Sequence, residues 1–245
     1  MKKAFVSISI SCILSSLAIA DNTKWSYDGK NGPKNWGKIA DEYISCEIGQ
    51  YQSPIDIDRH IEIKNPKEII FKYGKNVKSA TDNGHTIQLD YNPGNYVKIN
   101  NDTYELLQLH FHSPAENLIQ GKQYPLSMHI VHKNKEGKLL VIGIKFKVGK
   151  TNKILSPIWE KMPKKPGEIT YPKDFDLSKL IPEKVGYYHF NGSLTTPPCT
   201  EGVSWFVLKE TLEISKNQLQ KIQSLMQYPN NRPIQPKNNR IIIKQ

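Results

Sequence analysis

Beyond residue 20 the chain lacks any apolar run long enough to cross a membrane, and it carries no arginine cluster and no nucleic-acid-binding motif. Low-complexity tracts and sharp composition breaks are missing too. With 38% hydrophobic and 9% aromatic residues, and only 15 Gly and 16 Pro in 245, a disordered acidic tail and a collagen-like chain are excluded. Length and the absence of a linker point to one domain, large enough to bury most of the surface it exposes when unfolded. The net charge of +11 comes from dispersed lysines, among them Lys64, Lys67, Lys72, Lys75, Lys78, Lys145, Lys147, Lys150 and Lys153. Such scatter describes a solvated basic surface rather than a polyanion-binding patch, so no nucleic-acid partner is expected.

The amino end is the exception. Lys2 and Lys3 precede an uncharged run from Ala4 to Ile19, diluted by serines and closed by Ala18-Ile19-Ala20 before Asp21. A short apolar core behind a basic start and ahead of small residues reads as a secretory signal peptide over 1–20, cleaved near Ala20 to leave a domain over 21–245. A membrane anchor needs roughly 20 apolar residues, and too little apolar sequence precedes Cys12 for a lipoprotein signal. Cleavage removes two lysines and no acid, taking the charge to +9. The mature protein is expected in the periplasm or secreted, without stable membrane insertion; the sequence permits a homodimer. Cys46 and Cys199 remain. In an oxidising compartment an even pair suggests a disulfide, the alternative being two free buried thiols.

Short strand-like runs dominate the rest. Thr86–Tyr91 alternates polar and apolar residues, the pattern of a half-buried strand. Glu68–Tyr73, Tyr96–Ile99, Tyr104–His112, Leu126–His132, Leu139–Phe146 and Val203–Leu208 are strand-like by β-branched and aromatic content, with turns at Asn83-Gly84 and Glu136-Gly137. The segment 21–48 reads as an irregular arm with a short helix near Lys38–Ile44. Lys161–Glu183 is a Pro- and Lys-rich connection. One helix is clear: Ser215 caps it, Gln218 completes a capping box, and Leu219, Ile222 and Met226 form its apolar stripe. Arg240–Lys244 carries a three-isoleucine strand. The fold class is mostly β with short helices, one domain.

Seven histidines are present, and two stand two residues apart in a strand-like run. Residues i and i+2 of a strand share a face, so His110 and His112 project together with Gln108, while Leu109 and Phe111 face away. His129, in the next strong strand, can supply a third ligand. Three histidines with an open fourth position suit catalytic zinc. Glu116 leaves a second reading open: His-x-His followed by a ligating glutamate and a later histidine is also the metal motif of cupins, which are β-rich too.

The ordered motifs decide between these. Trp25-Ser26-Tyr27 with Asn31-Gly32-Pro33 and Trp36, Gln52-Ser53-Pro54-Ile55-Asp56-Ile57, Asn83-Gly84-His85, His110-Phe111-His112, Glu116, His129-Ile130-Val131-His132, Gly192–Cys199 with its Ser-Leu-Thr-Thr-Pro-Pro run, and Asn231-Arg232-Pro233 with Gln235-Pro236 and Asn239-Arg240 run through nearly all of 21–245. In this the chain resembles the α-class carbonic anhydrases of the exported bacterial type. Cupins have no reason to carry the threonine–proline run.

The resemblance implies a single domain around a central, largely antiparallel twisted sheet of about ten strands. It implies one zinc ion held by His110, His112 and His129, and reversible hydration of CO₂ to bicarbonate by a zinc-bound hydroxide. Thr195 and Glu116 would form a relay that orients the hydroxide, and Thr196 would help place bicarbonate. His85 would shuttle protons. Val131, Val141, Leu194, Val203 and Trp205 would wall an apolar substrate pocket, with Gln88 lining the cavity. Gln108 would orient His110. Ser127 stands where many members of the family place a glutamate that orients the third ligand, a departure that bears on zinc retention and water acidity. Cys46 and Cys199 match the disulfide of exported members. Relatives that lose the zinc histidines act as binding modules; here the ligands, threonine, glutamate and shuttle are all intact. His132 is expected to be a buried structural histidine, with no chemistry assigned to His60 or His189.

Overall fold

The computed structural model describes residues 24–63 and 68–245. The segment 1–20, read from sequence as a signal peptide, and Lys64 and Lys67 lie outside the described residues.

Alternation builds the sheet. In Ile87–Tyr91 the residues Ile87, Leu89 and Tyr91 are buried and the two between are half-buried. The turn before it is set by Asn83, whose Oδ1 accepts from the peptide N–H groups of His85 and Thr86, both at 3.0 Å, while Gly84 supplies the positive φ of +87°. Among the described residues the main sheet has twelve strands. From one edge it runs Ile169–Thr170, Val77–Asp82, Ile87–Tyr91, Asp102–His112, Leu126–Lys133, Leu139–Val148, Glu201–Ile214, Tyr187–Ser193, Ile243–Lys244 and Ile61–Glu62. Ile69–Lys72 and Tyr96–Ile99 pair with each other, and the latter also joins Asp102–His112. Most neighbours are antiparallel, but Leu139–Val148 pairs in parallel with Glu201–Ile214, and Ile243–Lys244 with Ile61–Glu62. The sheet is therefore larger and more mixed than the expected ten-stranded one. The long connection between residues 148 and 201 is what lets the central pair run parallel.

The strands read from sequence are present, with instructive extensions. Glu201–Ile214 begins before Val203 and continues past Leu208, through polar Lys209-Glu210. The register against Leu139–Val148 slips there, and Lys145, buried beneath the irregularity, donates its Nζ to the carbonyls of Leu208 (2.6 Å), Lys209 (2.7 Å) and Glu210 (3.1 Å). Tyr187–Ser193 and Val77–Asp82 are further strands, for which the sequence reading names no element. At Gly192 a Cβ would stand 2.2 Å from Ser53 Oγ, so only glycine admits the Ser53–Ser193 cross-links, Ser53 N–H to Ser193 Oγ at 2.8 Å and Ser193 N–H to Ser53 Oγ at 3.1 Å.

In the arm, the helix expected over Lys38–Ile44 is instead three short pieces: 3₁₀ turns at Pro33–Lys38 and Asp41–Tyr43, then a helical turn at Ser45–Ile48. Pro33 starts the first, and Ala40, extended at φ −155°, ψ 151°, separates it from the second. The helix Lys216–Leu225 has the capping box of Ser215 and Gln218 and buries Leu219 and Ile222. Only Ile243–Lys244 of the tail pairs as strand.

Three apolar clusters result. The largest lies on the face carrying Leu109, Phe111, Met128 and Ile130, closed by Lys216–Leu225. A second lies on the opposite face, around Val131, Val141, Val203, Trp205 and Ile55. The third packs Trp36, Trp25 and Tyr27 about the Cys46–Cys199 disulfide.

Candidate metal centre

His110 and His112 project from the second face of Asp102–His112, and His110 stands directly opposite His129 of Leu126–Lys133. One ligand atom from each of the three lies within 4.8 Å of the others; His112 and His129 are buried and His110 half-buried. Hydrogen bonds fix the ring tautomers. His112 Nδ1 lies 2.8 Å from the Asn230 carbonyl oxygen, which only accepts, so Nδ1 carries the hydrogen and Nε2 the lone pair. That Nε2 is buried without a hydrogen-bond partner. Gln108 Oε1, 2.8 Å from His110 Nδ1, assigns the same tautomer there. Burial, reinforced by the neighbouring histidines, holds His110 and His129 well below the usual imidazole range, so both are neutral as ligation requires. An orphaned buried lone pair converging with two neutral imidazoles fits zinc.

Glu116 lies against this cluster, fully buried. Its Oε1 accepts from the Arg232 peptide N–H at 2.8 Å, and the Thr195 hydroxyl hydrogen-bonds the same carboxyl group. Its Oε2 has no hydrogen-bond partner and sits 3.5 Å from His112 Nε2 and 3.7 Å from His129 Nδ1. Burial pushes the carboxyl pKa up; His112, the Thr195 hydrogen bond and Arg232 oppose that rise.

The Arg232 side chain, itself buried, donates to Gln52 Oε1 (2.8 Å), the Ser53 carbonyl (2.8 Å) and the Cys46 carbonyl (2.9 Å), and lies over the Trp36 ring. Desolvation lowers its pKa to about 10, against the pull of Glu116. Cys46 and Cys199 are bonded, closing a loop of sequence separation 153 and tying the arm to the Thr195–Pro198 turn. Thr196 is half-buried in that turn, its carbonyl accepting from Cys199 N–H at 2.8 Å.

The other expected site residues are placed as follows. Val131, Val141, Val203 and Trp205 share one cluster with Leu194 packed on it, and the Trp205 ring meets His129 edge-on at 4.9 Å. Gln88 is opposite His110 in register, its amide held by Asp90 at 2.8 Å. His85 stacks on Trp25 with ring centroids 3.8 Å apart. Ser127 is opposite His112 and buried, and its Oγ makes no hydrogen bond. His132 is structural, its ring nitrogens 2.6 Å from Tyr73 Oη and 3.3 Å from the Leu140 carbonyl, and burial pushes it down to about 3. Sequence reading assigned nothing to Asn230 or Gln227. Asn230 acts on His112 through its backbone carbonyl, which leaves no trace in residue identity.

Comparison with known proteins agrees with this geometry. The family model described as eukaryotic-type carbonic anhydrase matches residues 31–245. A carbonic anhydrase of Pectobacterium carotovorum is 40% identical over 241 residues, covering 96% of this chain and 98% of its own. A hyperthermostable carbonic anhydrase from an active hydrothermal vent chimney superposes with TM-score 0.87 at 45% identity, over 91% of this chain and 100% of the other. The α-carbonic anhydrase of Thermovibrio ammonificans, solved with the inhibitor sulfanilamide, gives TM-score 0.86 at 43% identity, over 90% and 99%. This removes the cupin alternative. A match that spans the arm, the histidine strands and the tail alike means that the chain belongs to the eukaryotic-type, or α-class, carbonic anhydrase family and is a zinc enzyme of that class.

Proposed function

We propose that this enzyme reversibly hydrates CO₂ through the site built by His110, His112 and His129, with Glu116 and Thr195 orienting the nucleophile and His85 carrying the proton away. The convergence of three imidazoles beside the buried Thr195–Glu116 hydrogen bond carries this reading.

Bound to the three histidines, zinc supplies a Lewis acid that makes hydroxide available from water near neutral pH, a property best known from this family. The chain's own residues do the rest. An ionised Glu116 only accepts hydrogen bonds, so Thr195 donates to it and is left with oxygen lone pairs to accept. A hydroxide that donates to Thr195 Oγ has its own lone pair turned toward the wall of Val131, Val141, Leu194, Val203 and Trp205. CO₂ has no charge, so an apolar wall holds it without competing for that lone pair. Thr196 helps place the bicarbonate product, and Gln88 lines the cavity beside His110. Burial keeps His85 below the usual imidazole range, so it stands neutral and ready to accept a proton at pH 7.

Export to the periplasm, or secretion, follows from the leader over 1–20 and is supported by the disulfide. Among the described residues no helix is long and apolar enough to cross a membrane. CO₂/bicarbonate balance outside the cytoplasm is the role this location gives the reaction, and a deletion strain is expected to grow poorly when external pH or CO₂ is shifted.

Stopped-flow CO₂ hydration, before and after chelation, tests the reading. Fast hydration that vanishes with the metal and returns with zinc supports it. No rate above buffer, from folded zinc-loaded protein, overturns it in favour of a binding role.

A further inference from the structure

Asn230 uses every hydrogen-bonding group it has. Its peptide N–H donates to the Ser113 carbonyl at 3.1 Å, and its carbonyl accepts from His112 Nδ1 at 2.8 Å. In the side chain, Oδ1 accepts from Ser113 N–H at 2.7 Å, and Nδ2 donates to the carbonyls of Phe111 at 3.0 Å and His85 at 3.1 Å. One fully buried residue thus pins the backbone of His85 to the strand that carries the metal ligands.

Three residues earlier, Gln227 addresses the ring of the same histidine. Its amide Nε2 is 3.4 Å from Asp28 Oδ1 and its Oε1 is 3.4 Å from His85 Nδ1. A carboxylate only accepts, so Asp28 must face the NH₂ end, which turns the carbonyl end toward His85. The carbonyl end also only accepts. His85 Nδ1 therefore carries the hydrogen, and Nε2 is the ring's acceptor. The stack on Trp25 restrains the ring plane while leaving both nitrogens at its edge.

We propose that Asn230 and Gln227 are positioning residues for proton transfer: Asn230 fixes where His85 stands relative to His112, and Gln227 fixes which of its nitrogens receives the proton. The proposal rests on the reading of His85 as the shuttle.

The test uses zinc-loaded full-length mature protein and the variants Gln227→Leu, Asn230→Ser and His85→Ala. Ring ¹⁵N shifts of His85 report the tautomer, and stopped-flow hydration in weak buffer, with and without added imidazole, separates kcat from kcat/KM. Wild type is expected to show the Nδ1–H form. Gln227→Leu is expected to lose that preference and to lower kcat roughly threefold, with imidazole restoring it and with zinc content and kcat/KM held. An Nε2–H wild type, or unchanged tautomer and kcat in Gln227→Leu, overturns the role of Gln227. Asn230→Ser is expected to lose kcat in the same rescuable way; a fall in kcat/KM that imidazole does not restore marks a purely structural residue and overturns that half. His85→Ala separates the two readings: unchanged kcat there removes the shuttle itself, while the tautomer measurement still judges Gln227.

Discussion

The two faces of the strands Asp102–His112 and Leu126–Lys133 differ in almost everything but their backbone. One presents Leu109, Phe111, Met128 and Ile130, all fully buried in the largest core. The other presents Gln108, His110, His112, Ser127 and His129, and leaves the buried Ser127 Oγ without a hydrogen-bond partner. An unsatisfied buried polar group costs about 1–3 kcal/mol, while a large buried apolar side chain contributes about 1.5–3 kcal/mol. The apolar face thus offsets what the polar face gives up. Because side chains alternate, a single strand can serve both ends, and each face can change without rewriting the other.

The sharpest way to break this contrast is a pair of neighbours. Phe111→Ala is expected to cost about 3–5 kcal/mol of stability, read as a fall in the denaturant midpoint. His112→Ala should abolish zinc binding and bring hydration to background, with a much smaller loss of zinc-free stability. Equal losses from the two substitutions would mean that the faces are not separable. Next in size is reduction of the disulfide. Opening a loop of sequence separation 153 removes at most about 5 kcal/mol in the chain-entropy picture. The melting temperature should fall while zinc stays bound, since no ligand lies in the arm; metal loss on reduction would tie the arm to the polar face more closely than the ligands themselves suggest.

This contrast was largely legible in the sequence, for a physical reason. Period-two alternation and a His-x-His pair declare which residues share a face, so the pairing of His110 with His112 and the apolar backing of Phe111 follow from spacing, while His129 as third ligand and the choice against a cupin-like site rest on the ordered motifs. Effects carried by backbone atoms or by distant closure were not legible. The Asn230 carbonyl that orients His112 could belong to any residue type. The continuation of Glu201–Ile214 depends on Lys145, far away in sequence, capping three carbonyls with its ammonium. The arm misled because its helical turns are held by the tryptophan cluster rather than by propensity.

Smaller effects sharpen the polar face further. Thr195→Ala is expected to lower kcat/KM about 100-fold, equivalent to about 2.7 kcal/mol, with zinc retained and stability nearly unchanged. A loss of metal instead would make Thr195 part of the ligand support rather than of the relay. The smallest effect is in pH dependence. Burial lowers the pKa of His85, against the raising influence of Gln227 and Asp82. Its neutral form is the proton acceptor, so kcat in weak buffer should rise with pH through a midpoint below the ordinary imidazole value. Trp25→Ala uncovers the ring and should move that midpoint up; a midpoint that stays put would place the governing titration elsewhere.

The reach of Arg232 and Asn230 sets the order in which the molecule can be finished. Arg232 gathers Cys46, Gln52 and Ser53 from the start of the fold, and its peptide N–H holds Glu116, while Asn230 holds His112. A chain made from its amino end displays all three histidines long before either residue exists. Until that last stretch arrives His112 lacks the carbonyl that sets its tautomer, Glu116 lacks the peptide N–H that holds its Oε1, and the arm lacks the guanidinium that gathers its carbonyls. Contacts of such long sequence span form late. A product truncated before residue 230 would carry every ligand, yet lack both the carbonyl that orients His112 and the peptide N–H that holds Glu116.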